Sequence, residues 1–411
     1  MEQDIRVAFF PDAYDEINGV ANTSRQFAAF AKKRGIPFLI ICGGTEGATR
    51  KEGSVTRRIF RRGRIGFPLD KEHDFDLLFW RHYSDVEKEV LKFSPDVVHI
   101  TGPSDVGMLG AFVAHRMQIP LAASWHTNLH EYAERRASTI FQHFSPEAKC
   151  WMGRTVREIS LSAIMGFYKL AQTLFAPNPE LMDLLERATG KSVFPMFRGV
   201  DSTLFTPEMR DRTDGEFVVG YVGRLTVEKN IRFLRELEAS LASNVDLNMR
   251  FSIVGQGAEE PWLRANMRKA TFAGVLKGAA LARAYANMDV FVFPSKTDAF
   301  GNVVLEALCS GVPAIVTESG GPQFLIRQGE TGFVARSASE FAGYIRHLSE
   351  NRDRLRVMRT AARAHALGAC WDRIFEGVYG NYQRGVRTSR IEFRRDPNAR
   401  PQPGIAASSS N

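Results

Sequence analysis

The chain has 411 residues, 44% hydrophobic and 24% charged, which is more than a single hydrophobic core accommodates; about two globular domains are expected, and disorder throughout is excluded. Lys and Arg number 54 against 46 Asp and Glu, a formal net charge of +8. The four cysteines, Cys42, Cys150, Cys309 and Cys370, have neither CxxC nor Cys/His ligand spacing, which excludes a disulfide framework and a structural zinc site and predicts small buried apolar residues.

No apolar run reaches the ~18 to 20 residues that a bilayer span needs. "MEQDIRVAFFPD" starts with charges and passes straight into a strand-like run, unlike a secretory signal. The expectation is a cytoplasmic protein, soluble or peripheral at the inner face of the membrane. In chain order, "IRVAFF" (5–10) and "PFLIIC" (37–42) predict buried strands around an amphipathic helix, "SRQFAAFAKKRG", closed by Gly35. "DVVHIT" (96–101) and "PLAASWH" (120–126) repeat the theme around a helical "GMLGAFVAHRM". Strand, helix, strand with short connections means parallel strands and right-handed crossovers.

Residues 197–215, "FRGVDSTLFTPEMRDRTDG", replace periodicity with polar and charged residues and read as a linker between an N-terminal domain (1–196) and a second one (216–370). The alternation restarts there: "FVVGYVG" (217–223), "MRFSIVG" (249–255), "TFAG", "DVFVFP" (289–294) and "PAIVT" (313–317), with helical patterns between them. The fold class is α/β, two doubly wound parallel sheets. "WDRIFEGVYGNYQ" (371–383) is a lone amphipathic helix, and 384–411 reads as a basic disordered tail.

Positive charge concentrates at 50–64, seven basic residues against Glu52, and at 384–400, six arginines against Glu392 and Asp396. Neither stretch interleaves aromatics or carries a helix-turn-helix or zinc-finger spacing, so nucleic acid is not expected. A solvated surface is the leading reading of 50–64; an anionic membrane is the second.

In open parallel sheets, ligands bind beyond the carboxyl ends of strands. "SKTDAFGNVVLEALCSGVP" lies in such a place, with Asp298 in the loop after a strand and Glu306 little more than a turn into the next helix. Unpaired amides at that helix start can receive an anion or hydroxyls. The bland alternative makes Asp298 a favourable charge near a helix start and Glu306 a solvated residue. "GYVGRLTVEKNI" adds Gly223 and Arg224 directly after another strand and Lys229 five residues on. A planar fork and a point charge beside a close-approach glycine suit a diphosphate. "IVGQGAEEPWL" and "GGP" (320–322) supply further post-strand turns, the latter opening a helix.

Together with "INGVANTSRQF", "SWHTNLHEYA" and "RGVD", these segments resemble retaining glycosyltransferases of family 4, in the GT-B group, over about residues 5–382. The branch most similar contains GDP-mannose-dependent α-mannosyltransferases and UDP-sulfoquinovose:diacylglycerol transferases. The resemblance implies two Rossmann-like domains facing across a cleft, with the helix from Trp371 crossing back onto the first. It implies a GDP- or UDP-sugar donor, a lipid or glycan acceptor and no further cofactor.

Carried over by the resemblance, Arg224 and Lys229 bind the diphosphate and Glu306 the ribose hydroxyls. Asp298, Phe300, Gly301, Asn302 and Val303 hold sugar hydroxyls and phosphate. Gly19 lets backbone approach the diphosphate, and His126 contacts the sugar near the reacting carbon. His126, Arg224, Lys229 and Asp298 form the implied catalytic set. Asp298 stands where the family usually has Glu, and "NGV" has one glycine where many members have two.

A lone post-strand histidine is by itself more often a packed residue than a catalytic one, and spacing leaves His126 open between hydrogen bonding and proton transfer. "DFD" (74–76) looks like the metal-binding DxD of the other glycosyltransferase fold, but it sits among charged residues without that fold's surroundings, so no metal is expected. Two other classes stay open. A non-catalytic nucleotide-sugar-binding protein would keep the sheets but lose the cations or the acids. A dehydrogenase would need G-x-G-x-x-G after the first strand.

Overall fold

The computed structural model describes residues 5–16, 18–63, 66–70, 73–76, 78–126, 145–242 and 248–395. Ile17, the rest of "HTNLHEYA" after His126, and residues 396–411 of the expected tail lie outside the described residues. No described helix is long and apolar enough to cross a membrane.

The first sheet contains β1 (Val7–Phe10), β2 (Phe38–Gly44), β3 (Ala48–Glu52), β4 (Val55–Arg61), β7 (Val97–Ile100), β8 (Leu121–Ser124), β9 (Thr173–Ala176) and β10 (Val193–Pro195). Their order is β10-β9-β8-β7-β1-β2-β4-β3. A separate hairpin pairs β5 (Gly66–Asp70) with β6 (His73–Asp76). The second sheet orders β11 (Phe217–Val222), β12 (Met249–Val254), β13 (Ala270–Phe272), β14 (Val290–Phe293), β15 (Ala314–Thr317) and β16 (Gly332–Ala335) as β13-β12-β11-β14-β15-β16. Pairing is parallel in both, except where β3 runs antiparallel to β4.

Both faces of the first sheet are covered at its centre, so β1 and β2 are apolar where they are buried and split by parity. Ala8, Phe10, Leu39 and Ile41 join the core on one face; Val7, Phe9, Phe38 and Ile40 join the core on the other. That second core is completed from far away in sequence. The helix Trp371–Arg395 buries Phe375, Val378, Tyr379 and Tyr382, a helical stripe, with Phe375 and Tyr379 against the helix Gly19–Arg34 and Tyr382 against His99 and Phe175 of the sheet. Phe375 stacks on Phe27 at 4.5 Å between ring centroids.

Several expectations are corrected. The terminal helix runs to Arg395 rather than ending near Gln383, so 384–395 is helical and not tail. The "GGP" segment opens only a short 3-10 turn, Gly321–Leu325. Cys42 and Cys309 are buried, whereas Cys370 is exposed. Residues 197–215 are not a bare tether: Val200 and Phe205 enter the second core, and Arg210 and Arg212 both pair with buried Asp289, at 2.9 and 2.8 Å.

The basic stretch 50–64 is not a loop over its main part but the hairpin β3–β4. Arg57 pairs with Asp15 and lies over the Tyr14 ring, while Arg58 and Arg62 reach Glu89 and Asp105, each at 3.2 Å. Arg50, Lys51 and Arg61 are exposed.

Candidate functional site

β11 and β14 are neighbours, registered Val219 to Val290 and Gly220 to Phe291, so the loops leaving their carboxyl ends lie side by side. The first loop carries Gly223 and Arg224 and tightens into a 3-10 turn, Val227–Lys229; the second carries Asp298. Sheet pairing thereby brings Lys229 Nζ to 2.6 Å from Asp298 Oδ1. Burial works to raise the Asp298 carboxyl, but the charge and hydrogen bond of Lys229, with Ser295 and the charge of Arg224, together offset it, and the pKa lies below the ordinary value. Asp298 Oδ2 is buried and accepts no hydrogen bond of good geometry, although the Ser295 hydroxyl is close enough to help hold the carboxyl pKa down. Arg224 Nη2 lies 3.6 Å from Glu228 Oε1.

The chain enters the helix Asn302–Cys309 through Gly301, whose φ of 94° is accessible chiefly to glycine. On this helix Glu306 accepts a hydrogen bond from the Tyr285 hydroxyl at 2.8 Å. Burial pushes its carboxyl up to about 7, with the Tyr285 bond acting in the opposite direction. Phe300 is buried in the second core and Val303 packs against it. Within 300–303 these two side chains are therefore spent on packing, and ligand contacts from them would come from backbone amides at the helix start.

The first domain approaches from the opposite side. A Cβ on Gly19 would sit 2.9 Å from Asn302 Nδ2, so the starts of the helices Gly19–Arg34 and Asn302–Cys309 meet with room for hydrogen only. Asn178, the N-cap residue of the helix Pro179–Thr189, donates from Nδ2 to Ala299 O at 2.6 Å, tying the Asp298 loop to the first domain. Asp76 of the DxD-like triplet is buried under Arg81 and the Gly63 and Leu78 amides, at 2.8, 2.7 and 2.9 Å, which gives it a structural role.

His126 follows β8 and is buried, with both ring nitrogens engaged. Arg198 Nη2 lies 2.7 Å from its Nδ1, and Ser124 Oγ lies 2.6 Å from its Nε2. Ser124 Oγ is also 2.7 Å from His99 Nε2, and His99 Nδ1 reaches the Tyr382 hydroxyl. Burial first, then the charge of Arg198, holds the His126 pKa well below that of free histidine. In this structure both ring nitrogens of His126 therefore face protein groups, and burial favours the neutral ring.

The structure brings Arg224, Lys229, Asp298, Asn302 and Glu306 to one edge of the second sheet, with Gly19 facing them. Tyr285, Asn178 and the group Arg198, Ser124, His99 and Tyr382 were not predicted. "RGVD" stood out in the sequence, but no spacing signals that its arginine meets His126.

Residues 17–202 match the family described as Glycosyltransferase Family 4, and residues 216–351 match Glycosyl transferases group 1. The chain is 30% identical to a GDP-mannose-dependent alpha-mannosyltransferase of Mycobacterium tuberculosis, over 94% of this chain and 99% of that one. It is 28% identical to the sulfoquinovosyl transferase of Arabidopsis thaliana, over 87% and 69%. The sucrose-phosphate synthase of Thermosynechococcus elongatus shares the fold, with a TM-score of 0.70 at 19% identity, covering 95% of this chain and all of that one (100%). Two parallel α/β sheets meeting at their carboxyl edges, joined by a returning helix and matched along nearly the whole sequence, place the chain in glycosyltransferase family 4, with the GT-B fold.

Proposed function

We propose that the protein transfers a mannosyl group from GDP-mannose to a hydroxyl of a lipid or glycan acceptor, with retention of anomeric configuration. The observation that carries this reading is the grouping of Lys229 and Asp298 at 2.6 Å with Arg224 and Glu306 along one sheet edge. Cations there suit a diphosphate, and acids suit hydroxyls on either side of it. GDP is preferred to UDP because the relative aligned over nearly its whole length is described as GDP-mannose-dependent.

In this reading Glu306 accepts from the ribose hydroxyls and Asp298 Oδ2 from a sugar hydroxyl. The bond from the anomeric carbon to the diphosphate oxygen breaks while one to the acceptor oxygen forms on the same face. The departing phosphate oxygen takes the acceptor's proton. Arg224, Lys229 and the amides at Asn302 and Val303 stabilise the charge left on the diphosphate, a term of ~3 to 4 kcal/mol per preorganised donor. The same reading assigns the exposed Arg50, Lys51 and Arg61 to an anionic membrane surface that presents the acceptor.

Calorimetric titration with GDP and with UDP tests the donor site. GDP is expected to bind more tightly, and Glu306→Ala to lose more than ~1.5 kcal/mol, about tenfold. Equal binding of the two nucleotides by a folded protein, or an unchanged affinity in the variant, overturns the assignment.

A further inference from the structure

The two passages of the chain between the domains touch: Val200 N donates to Ala369 O at 3.1 Å, and a Cβ on Gly199 would fall 2.6 Å from the Trp371 ring. Each passage contributes a polar side chain to the buried group around His126. Arg198 comes from the first, and Tyr382 from the helix that follows the second.

Proton bookkeeping determines the state of His126. A guanidinium has only donors, so His126 Nδ1 must accept. A neutral ring that accepts at Nδ1 carries its proton on Nε2, which donates to Ser124 Oγ. Arg198 is buried, also donates to Met196 O at 3.2 Å, and has no acid partner among the described residues. Protonating His126 at Nδ1 would turn an acceptor into a second donor facing a buried cation. The described groups around the ring are Arg198, Ser124 and, beyond it, His99 and Tyr382; Tyr168, from the helix Pro146–Tyr168, donates to Ser124 O at 3.3 Å.

We propose that Arg198 is a positioning residue: from the first passage between the domains it locks His126 as the neutral Nε2–H tautomer and fixes the ring at the carboxyl end of β8. His126 then shapes the site without moving a proton. The role in turnover rests on the glycosyl-transfer reading; the tautomer does not.

The first measurement is the 15N spectrum of the His126 ring in the intact wild-type protein. A pattern with Nδ1 unprotonated and Nε2 protonated, unchanged from pH 5 to 9, is expected; a proton on Nδ1, or titration in that range, overturns the proposal. In Arg198→Met, His126 should exchange tautomers or titrate, and turnover should fall at least tenfold with GDP affinity within twofold of wild type. Arg198→Lys, which restores one donor, should recover most of that loss. An unchanged ring signal in a folded Arg198→Met, or an equal loss of GDP affinity and turnover, overturns the assignment, the latter making Arg198 a donor ligand. Should Arg198→Met not fold, Ser124→Ala decides: the ring must keep its Nδ1 acceptor state while Arg198 remains, and loss of that state overturns the proposal. Absence of any transfer activity with the expected ring spectrum would overturn the functional reading and leave the tautomer lock standing.

Discussion

Glu306 connects burial to ligand binding through one proton. Its folded pKa of about 7 lies above the ordinary 4.5, so its contribution to stability is fully present below the unfolded value and is lost as pH rises through about 7. A ribose that donates to this carboxylate favours the ionised form. Nucleotide affinity should therefore rise between about pH 6 and 8 with release of a proton, measurable by calorimetry in buffers of different ionisation heat, and Glu306→Gln should flatten the pH dependence. Lys229 raises a different issue, because its removal strands the half-buried Asp298. Lys229→Met should weaken GDP binding roughly tenfold or more and also lower the melting temperature, since breaking one side of a largely buried pair leaves the other uncompensated. Retained GDP affinity in that variant would remove Lys229 from the diphosphate site.

Among the elements, the helices Gly19–Arg34 and Asn302–Cys309 are built for close approach at their starts. The 2.9 Å spacing at Gly19 leaves no space for a methyl unless the Asn302 amide moves. Gly19→Ala is expected to lower turnover by ~10- to 100-fold with little loss of stability, because small misplacements at a reacting centre are costly while the obstacle is a side-chain tip. The terminal helix acts on stability instead. Phe375 is fully buried and stacks on Phe27, so Phe375→Ala should destabilise by ~3 to 5 kcal/mol in denaturant unfolding. The surface pair Lys33 to Asp372, at 2.6 Å and largely exposed on the lysine side, should contribute less than ~1 kcal/mol, and Lys33→Ala should leave the unfolding midpoint nearly unchanged.

For the whole molecule, the formal charge of +8 overstates the free positive surface of 50–64, since Arg57, Arg58 and Arg62 already face Asp15, Glu89 and Asp105. A membrane test should neutralise Arg50, Lys51 and Arg61, which are exposed. At ~1 kcal/mol per cation near an anionic surface, the triple alanine variant should lose at least tenfold in sedimentation with anionic vesicles at low salt. Unchanged binding would remove this hairpin from membrane docking.

Local patterning by itself determined that the chain is α/β, where most buried strands of both sheets lie, that Gly35 closes the helix after β1, and which acids and cations follow strand ends. Those features depend on neighbours within a few residues, through burial parity, helical period and capping. The hairpin β3–β4 escaped this reading because basic residues on an edge pair with acids from other elements rather than alternating with apolar ones. The terminal helix outran it because arginines dominate the sequence of its later turns. Only the tertiary structure decided that Phe300 and Val303 serve the core, that Asn178 holds the Asp298 loop, and that both ring nitrogens of His126 are taken. Apart from the Ser124 to His126 bond, each of these is a contact between residues distant in sequence. Strand order in the sheets and the return of the last helix create such contacts, and no spacing along the chain records them.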